Sequence, residues 1–153
     1  MLKRIVSIFG LLLLSALLAG LLTAAAPLPV PTTTFQLLSG LPSTMNVGET
    51  ATVVVQVTSD QEFIFAQMLP TFHFPGRGLM ATNMGGDRVH DGTSASLAIT
   101  FIAKNSTADL PDEEVCPTAG VAPVAFYAGA RYPGGYIASQ RFPAQGFYCV
   151  TVP

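Results

Sequence analysis

Between Thr50 and Ser59 the chain reads T-A-T-V-V-V-Q-V-T-S. Ala51, Val53, Val55 and Val57 fall on one side of an extended chain, and Thr52, Gln56 and Thr58 on the other. This is the two-residue period of a strand with one face in a core. Val54 interrupts the polar side and predicts that this face is partly covered as well. Valine and threonine favour the extended state because their branched side chains pack well on a pleated surface. The period returns at Ser94 to Lys104, where Ala95, Leu97, Ile99, Phe101 and Ala103 alternate with Ser96, Thr100 and Lys104, so this segment is the natural partner of the first.

The remaining punctuation belongs to an all-β chain. Phe35 to Leu38 is a short strand stopped by Ser39-Gly40-Leu41-Pro42, and Asn46-Val47-Gly48 turns into the central strand, which Ser59-Asp60 ends. Glu62 to Leu69 follows as a strand rich in aromatics (Phe63, Phe65), and Pro70 bends it or marks an edge before Phe72 and Phe74. Pro75-Gly76-Arg77-Gly78 is a tight turn, and Leu79 to Asp91 carries more loop than strand signals. Asn105 to Gly120 is a long acidic loop. Pro123 to Tyr132 and Tyr136 to Phe142 flank the hairpin turn Pro133-Gly134-Gly135, and Phe147 to Val152 closes the chain. These segments predict seven to nine short strands in two antiparallel sheets packed face to face.

The run M-N-V-G-E-T-A-T-V-V-V-Q-V-T-S-D, Met45 to Asp60, resembles the opening of bacterial immunoglobulin-like domains of surface and envelope proteins. The resemblance implies an immunoglobulin-like antiparallel β-sandwich in an extracytoplasmic setting, and it carries no catalytic residues over. The Cys-Trp-Cys core of antibody domains is absent, because the chain has no Trp.

Three segments are expected: an export signal or membrane anchor at 1–25, a proline-rich linker at 26–34 and a β-sandwich domain at 35–153. Lys3 and Arg4 precede the charge-free apolar run Ile5 to Leu22, followed by Ala24, Ala25 and Ala26, the order of an export signal. A cut between Ala25 and Ala26 fits the small residues. As a helix the run would span about 27 Å, close to the roughly 30 Å of a bilayer core, so a retained anchor is the alternative. P-L-P-V-P-T-T-T, Pro27 to Thr34, favours an extended, semi-rigid spacer. An oxidising destination predicts that the two cysteines, Cys116 and Cys149, pair and pin the acidic loop to the outside of the closing strand.

Composition narrows the function classes. Beyond the first thirty residues Arg77, Arg88, Lys104, Arg131 and Arg141 face nine acids, which excludes a basic nucleic-acid binder. There is no G-x-S-x-G, H-E-x-x-H, P-loop or dinucleotide fingerprint, and the chain reads as non-enzymatic. Met68, His73, Met80, Met84 and His90 offer thioether and imidazole ligands for copper, although buried methionines are also common packing residues. Asp109, Asp112, Glu113 and Glu114, with Asp87 and Asp91, offer oxygens for calcium without the spacing of a calcium loop. Asn105-Ser106-Thr107 is a glycosylation triplet for a host that reads it. The aromatics Phe72, Phe74, Tyr127, Tyr132, Tyr136, Phe147 and Tyr148 supply either core or contact surface, with Tyr132, Tyr136 and Tyr148 the expected contact residues. Charged residues make up only 10% of the chain, which leaves little polar material for the exterior. The expectation is therefore an envelope protein that binds another envelope protein or its own copies, with a copper or small-ligand carrier as the alternative.

Overall fold

The computed structural model describes residues 28–72, 78–82, 88–105, 116 and 121–153. Within them are seven strands: β1 (Thr33–Ser39), β2 (Thr50–Phe72), β3 (Leu79–Ala81), β4 (Arg88–Ala103), β5 (Val121–Arg131), β6 (Ile137–Phe142) and β7 (Tyr148–Thr151). Every pairing between them is antiparallel. β2 is the spine: its first half lies between β1 and β4, its second half between β4 and β5, and β3 and β6 continue the sheet on either side. β6 and β7 run one after the other along β5.

The alternation of valines forms as the sequence predicts. Val53, Val55 and Val57 are buried opposite Ile99, Leu97 and Ala95 of β4, with Phe101 and Ala103 continuing the same face. On the solvent side Thr52 meets Thr100 hydroxyl to hydroxyl at 2.9 Å, and the Gln56 amide donates to Ser94 Oγ at 2.7 Å.

The expected boundary at Ser59-Asp60 is instead a bulge inside one continuous strand. Thr58 pairs with Ser94 and Phe63 with Gly92, so β2 spends residues 59–62 where β4 spends only Thr93. Asp91 beside it adopts a positive φ of 52°, the left-handed conformation that aspartate tolerates better than most residues. Burial on β2 changes parity just past this bulge. The odd positions face the core through Phe63, and from Ala66 the even ones do, Ala66 and Met68 lying against Ala130 and Ala128 of β5. A bulge of this kind lets a strand pass from one packed layer to the other. The inner faces of both halves share one hydrophobic cluster, from Val53, Val55 and Ile99 to Met68, Phe126 and Phe142. The fold is thus an all-β antiparallel one, consistent with a β-sandwich.

Pro70 lies past Gln67, the last β2 residue paired with β4, and the β5 ladder shifts register just after it, the edge and irregularity expected of a proline. Two further expectations are revised. The stretch Leu79–Asp91 contains β3 and the start of β4. The proline-rich stretch does not stand clear of the domain where it is described. Thr32 N donates to Asp60 Oδ1 at 2.9 Å, Asp60 N donates back to Thr32 O at 3.2 Å, and Gln61 Nε2 donates to Pro29 O at 3.0 Å, fastening residues 29–32 to the bulge. β1 begins at Thr33 directly afterwards. The apolar run Ile5 to Leu22 lies outside the described residues, among which no helix is long and apolar enough to cross a membrane.

Candidate functional site

Because β2 reverses parity, its second half turns Phe65, Gln67 and Leu69 to the solvent. Side chains directly opposite in an antiparallel pair share a face, so the ladder assigns their neighbours. Beside Phe65 lie His90 on β4, Arg131 on β5 and Ile137 on β6. Gln67 has Arg88, Gly129 and Ser139 in its row, and Leu69 has Tyr127 and Arg141. This outer face covers four strands and three rows, roughly 14 Å in each direction by strand geometry.

Three of the five cations beyond residue 30 stand on it, and none of its paired positions is acidic. Arg88 is braced: Nε and Nη2 donate to Gln67 Oε1 at 3.1 and 2.7 Å, and the guanidinium lies 4.6 Å from the centre of the Phe65 ring. Such a stacked guanidinium keeps its charge while its carbon shelters the ring. His90 also tilts against Phe65, ring centres 6.2 Å apart. Arg141 donates to the carbonyls of Pro143 and Gly146 at 2.8 and 2.6 Å and stacks over Phe147 at 5.1 Å, holding the link between β6 and β7. Arg131 is exposed. Tyr127 and Leu69 are exposed large side chains in the third row. Gly129 leaves the centre of the face without a side chain, and a Cβ there would come within 3.4 Å of the Ala138 carbonyl. The result is a cationic and aromatic surface with no side chain at its middle.

The residues singled out from the sequence distribute as follows. Cys116 and Cys149 are joined by a disulfide with Cα atoms 5.9 Å apart. Cys116 is buried, and neither cysteine belongs to the central cluster, so the bridge fastens the acidic loop beside the core instead of crossing it. Tyr132, expected at the surface, is 1% exposed and belongs to the core. Its neighbour Arg131 takes the solvent side, which turns Tyr132 inward, where its hydroxyl meets Thr33 Oγ1 at 2.6 Å. Tyr136 is exposed and tilts against Tyr132 at 5.9 Å. Tyr148 is half-buried and stacks on Phe126 at 5.7 Å, and burial pushes its phenol above the ordinary tyrosine value.

Met68 points into the core while His90 lies on the opposite, outer face of the same sheet region, so one ion cannot use both. Met80, on β3 between two buried residues, pairs with Ile102 of β4 and so faces away from the core in the other half. His73 and Met84 lie outside the described residues, as do Asp87, Asp109, Asp112, Glu113 and Glu114 among the calcium candidates. Among the described residues no group of three or more His, Cys, Asp or Glu side chains is placed to hold a metal ion.

In the sequence Arg88, Arg131 and Arg141 enter only the charge balance. Two of them were within reach. A hairpin centred on Pro133-Gly134-Gly135 sets Arg141 opposite Tyr127 and puts Arg131 on the same face four residues on. Arg88 depends on the long-range register of β4, which no local pattern carries. Compared with the models of known protein families and with curated proteins, the chain matches none.

Proposed function

We propose that this chain is a non-enzymatic, exported envelope protein, an immunoglobulin-like domain that assembles with an acidic surface of another envelope protein or of a neighbouring copy. The observation that carries the reading is the gathering of Arg88, Arg131 and Arg141 with Phe65, Tyr127 and Leu69 on one acid-free sheet face of a domain that is otherwise acidic. Arginine and aromatic side chains are the residue types that supply most of the energy at protein contacts. Cationic clusters also steer an acidic partner and make its capture sensitive to salt. The export reading draws support from the leader-like sequence and from a disulfide, a bond that persists in oxidising compartments. The immunoglobulin-like reading rests on Met45 to Asp60 and draws support from an all-β antiparallel fold consistent with a β-sandwich.

The test is binding of a fluorescent polyglutamate peptide to the protein at several salt concentrations, with sedimentation velocity alongside. Salt-sensitive binding that disappears in Arg88→Glu/Arg131→Glu is expected, and salt-sensitive self-association lost in the same variant identifies a second copy as the acidic partner. Peptide binding and assembly both indifferent to the double reversal would overturn the reading. Stoichiometric Cu(I) uptake abolished by His90→Ala would move the assignment to a metal carrier.

A further inference from the structure

A second surface lies at the end of the domain where the chain enters it. Leu28 is 73% exposed, Val30 68%, Ile137 61% and Tyr136 42%, and Ile64 is also exposed near the same bulge. These are five of the nine large hydrophobic side chains exposed among the described residues. They are not scattered. Leu28, Val30 and Tyr136 line one hollow of about 260 Å³, with Tyr132 as part of its wall, and Tyr136 and Ile137 line the next, which shares Pro31 with it. The bonds from Thr32 and Pro29 to Asp60 and Gln61 hold the entering chain in this place. An apolar cap is thus built by the fold at one end of the molecule, where water gains nothing from it.

The sequence before Leu28 indicates what covers it. Ile5 to Leu22 is an apolar run of bilayer length, and only Thr23 to Pro27 separate it from the cap. Five extended residues reach at most about 18 Å. Any bilayer that holds the run must lie close to Leu28, and a tyrosine beside aliphatic side chains is the composition that settles at a membrane interface. Asp60 and Glu62 stand at the same bulge and Arg131 pairs with Ile137, so the charges around the cap are of both signs and the contact is carried by its apolar side chains.

We infer that this cap, formed by Leu28, Val30, Tyr136 and Ile137, seats on the interfacial region of a lipid bilayer and orients the domain there. The inference does not depend on the arginine face. It is tested with the full chain in nanodiscs of zwitterionic lipid carrying spin-labelled headgroups, read by paramagnetic broadening of backbone amides. Broadening several-fold stronger at Val30, Tyr136 and Ile137 than at Val47, an exposed apolar residue in another turn, is expected. Leu28→Asp/Val30→Asp should remove the difference while the dispersion of the spectrum is kept. Ile137→Ser, at an exposed site, serves as the second variant should the first lose its fold, and it should weaken the difference. Equal broadening at Val47, or none at the cap, overturns the inference. So does protection of the cap that rises with protein concentration and not with lipid, which would mean a second copy covers it.

Discussion

Tyr132 shows how one polar atom decides the placement of a large side chain. Its ring fills the end of the core, and its hydroxyl is satisfied by Thr33 at 2.6 Å. Tyr132→Phe and Thr33→Val should each cost about 1 kcal/mol, the usual worth of such a bond. In urea unfolding the double variant should cost less than the two singles added, and strict additivity would mean the pair is not coupled. The inward turn of Tyr132 was legible in principle, since an arginine at 131 must face water and 130 and 132 then face the core. Its place beside the hairpin turn Pro133-Gly134-Gly135 obscured it. Tyr148 supplies a pH prediction. Its phenol titrates above the ordinary value in the folded state, so its contribution is complete below that ordinary value and disappears as pH rises through the folded one. Tyr148→Phe should therefore flatten the alkaline limb of a stability-against-pH curve, and an unchanged limb would place the loss elsewhere.

At the scale of elements, the bulge in β2 governs everything after it. The alternation of Thr50 to Ser59 and of Ser94 to Lys104 was legible because each is a local pattern with one buried face. The single strand running from Thr50 to Phe72 was not, because Ser59-Asp60-Gln61-Glu62 has the composition of a turn and only pairing with β4 keeps it extended. The change of burial parity between Phe63 and Ala66 is what puts Met68 inside and Phe65 outside. Deleting Gln61 should turn over the residues that follow it, which would drive Phe65 and Gln67 toward the core and expose Phe63, Ala66 and Met68. Loss of cooperative thermal unfolding by circular dichroism is the expected result, and a variant with unchanged melting would show that the strand re-registers elsewhere. By comparison Met68→Ala, which only empties space, should cost about 2 to 5 kcal/mol and leave the transition cooperative.

Over the whole molecule, the fold separates two surfaces that composition alone blends together. With few charged residues in the chain, their positions matter more than their number: three arginines share one sheet face, while the exposed aliphatic side chains concentrate at the entering end. The disulfide contributes differently, since it closes 33 residues of chain beside the core. Cys116→Ala/Cys149→Ala should lower stability by about 3 to 4 kcal/mol on the chain-entropy estimate, read as a fall in the urea midpoint, while polyglutamate binding persists wherever the protein is folded. The two surfaces should also be separable by substitution. Ile137 is the one residue that belongs to both, so the informative variants avoid it. Leu28→Asp/Val30→Asp is expected to lose the lipid-induced broadening and keep salt-sensitive polyglutamate binding, and Arg88→Glu/Arg131→Glu to do the reverse. Loss of both activities in either variant, with the fold intact, would mean that one continuous surface serves both partners and that the separation drawn from the ladder is not functional.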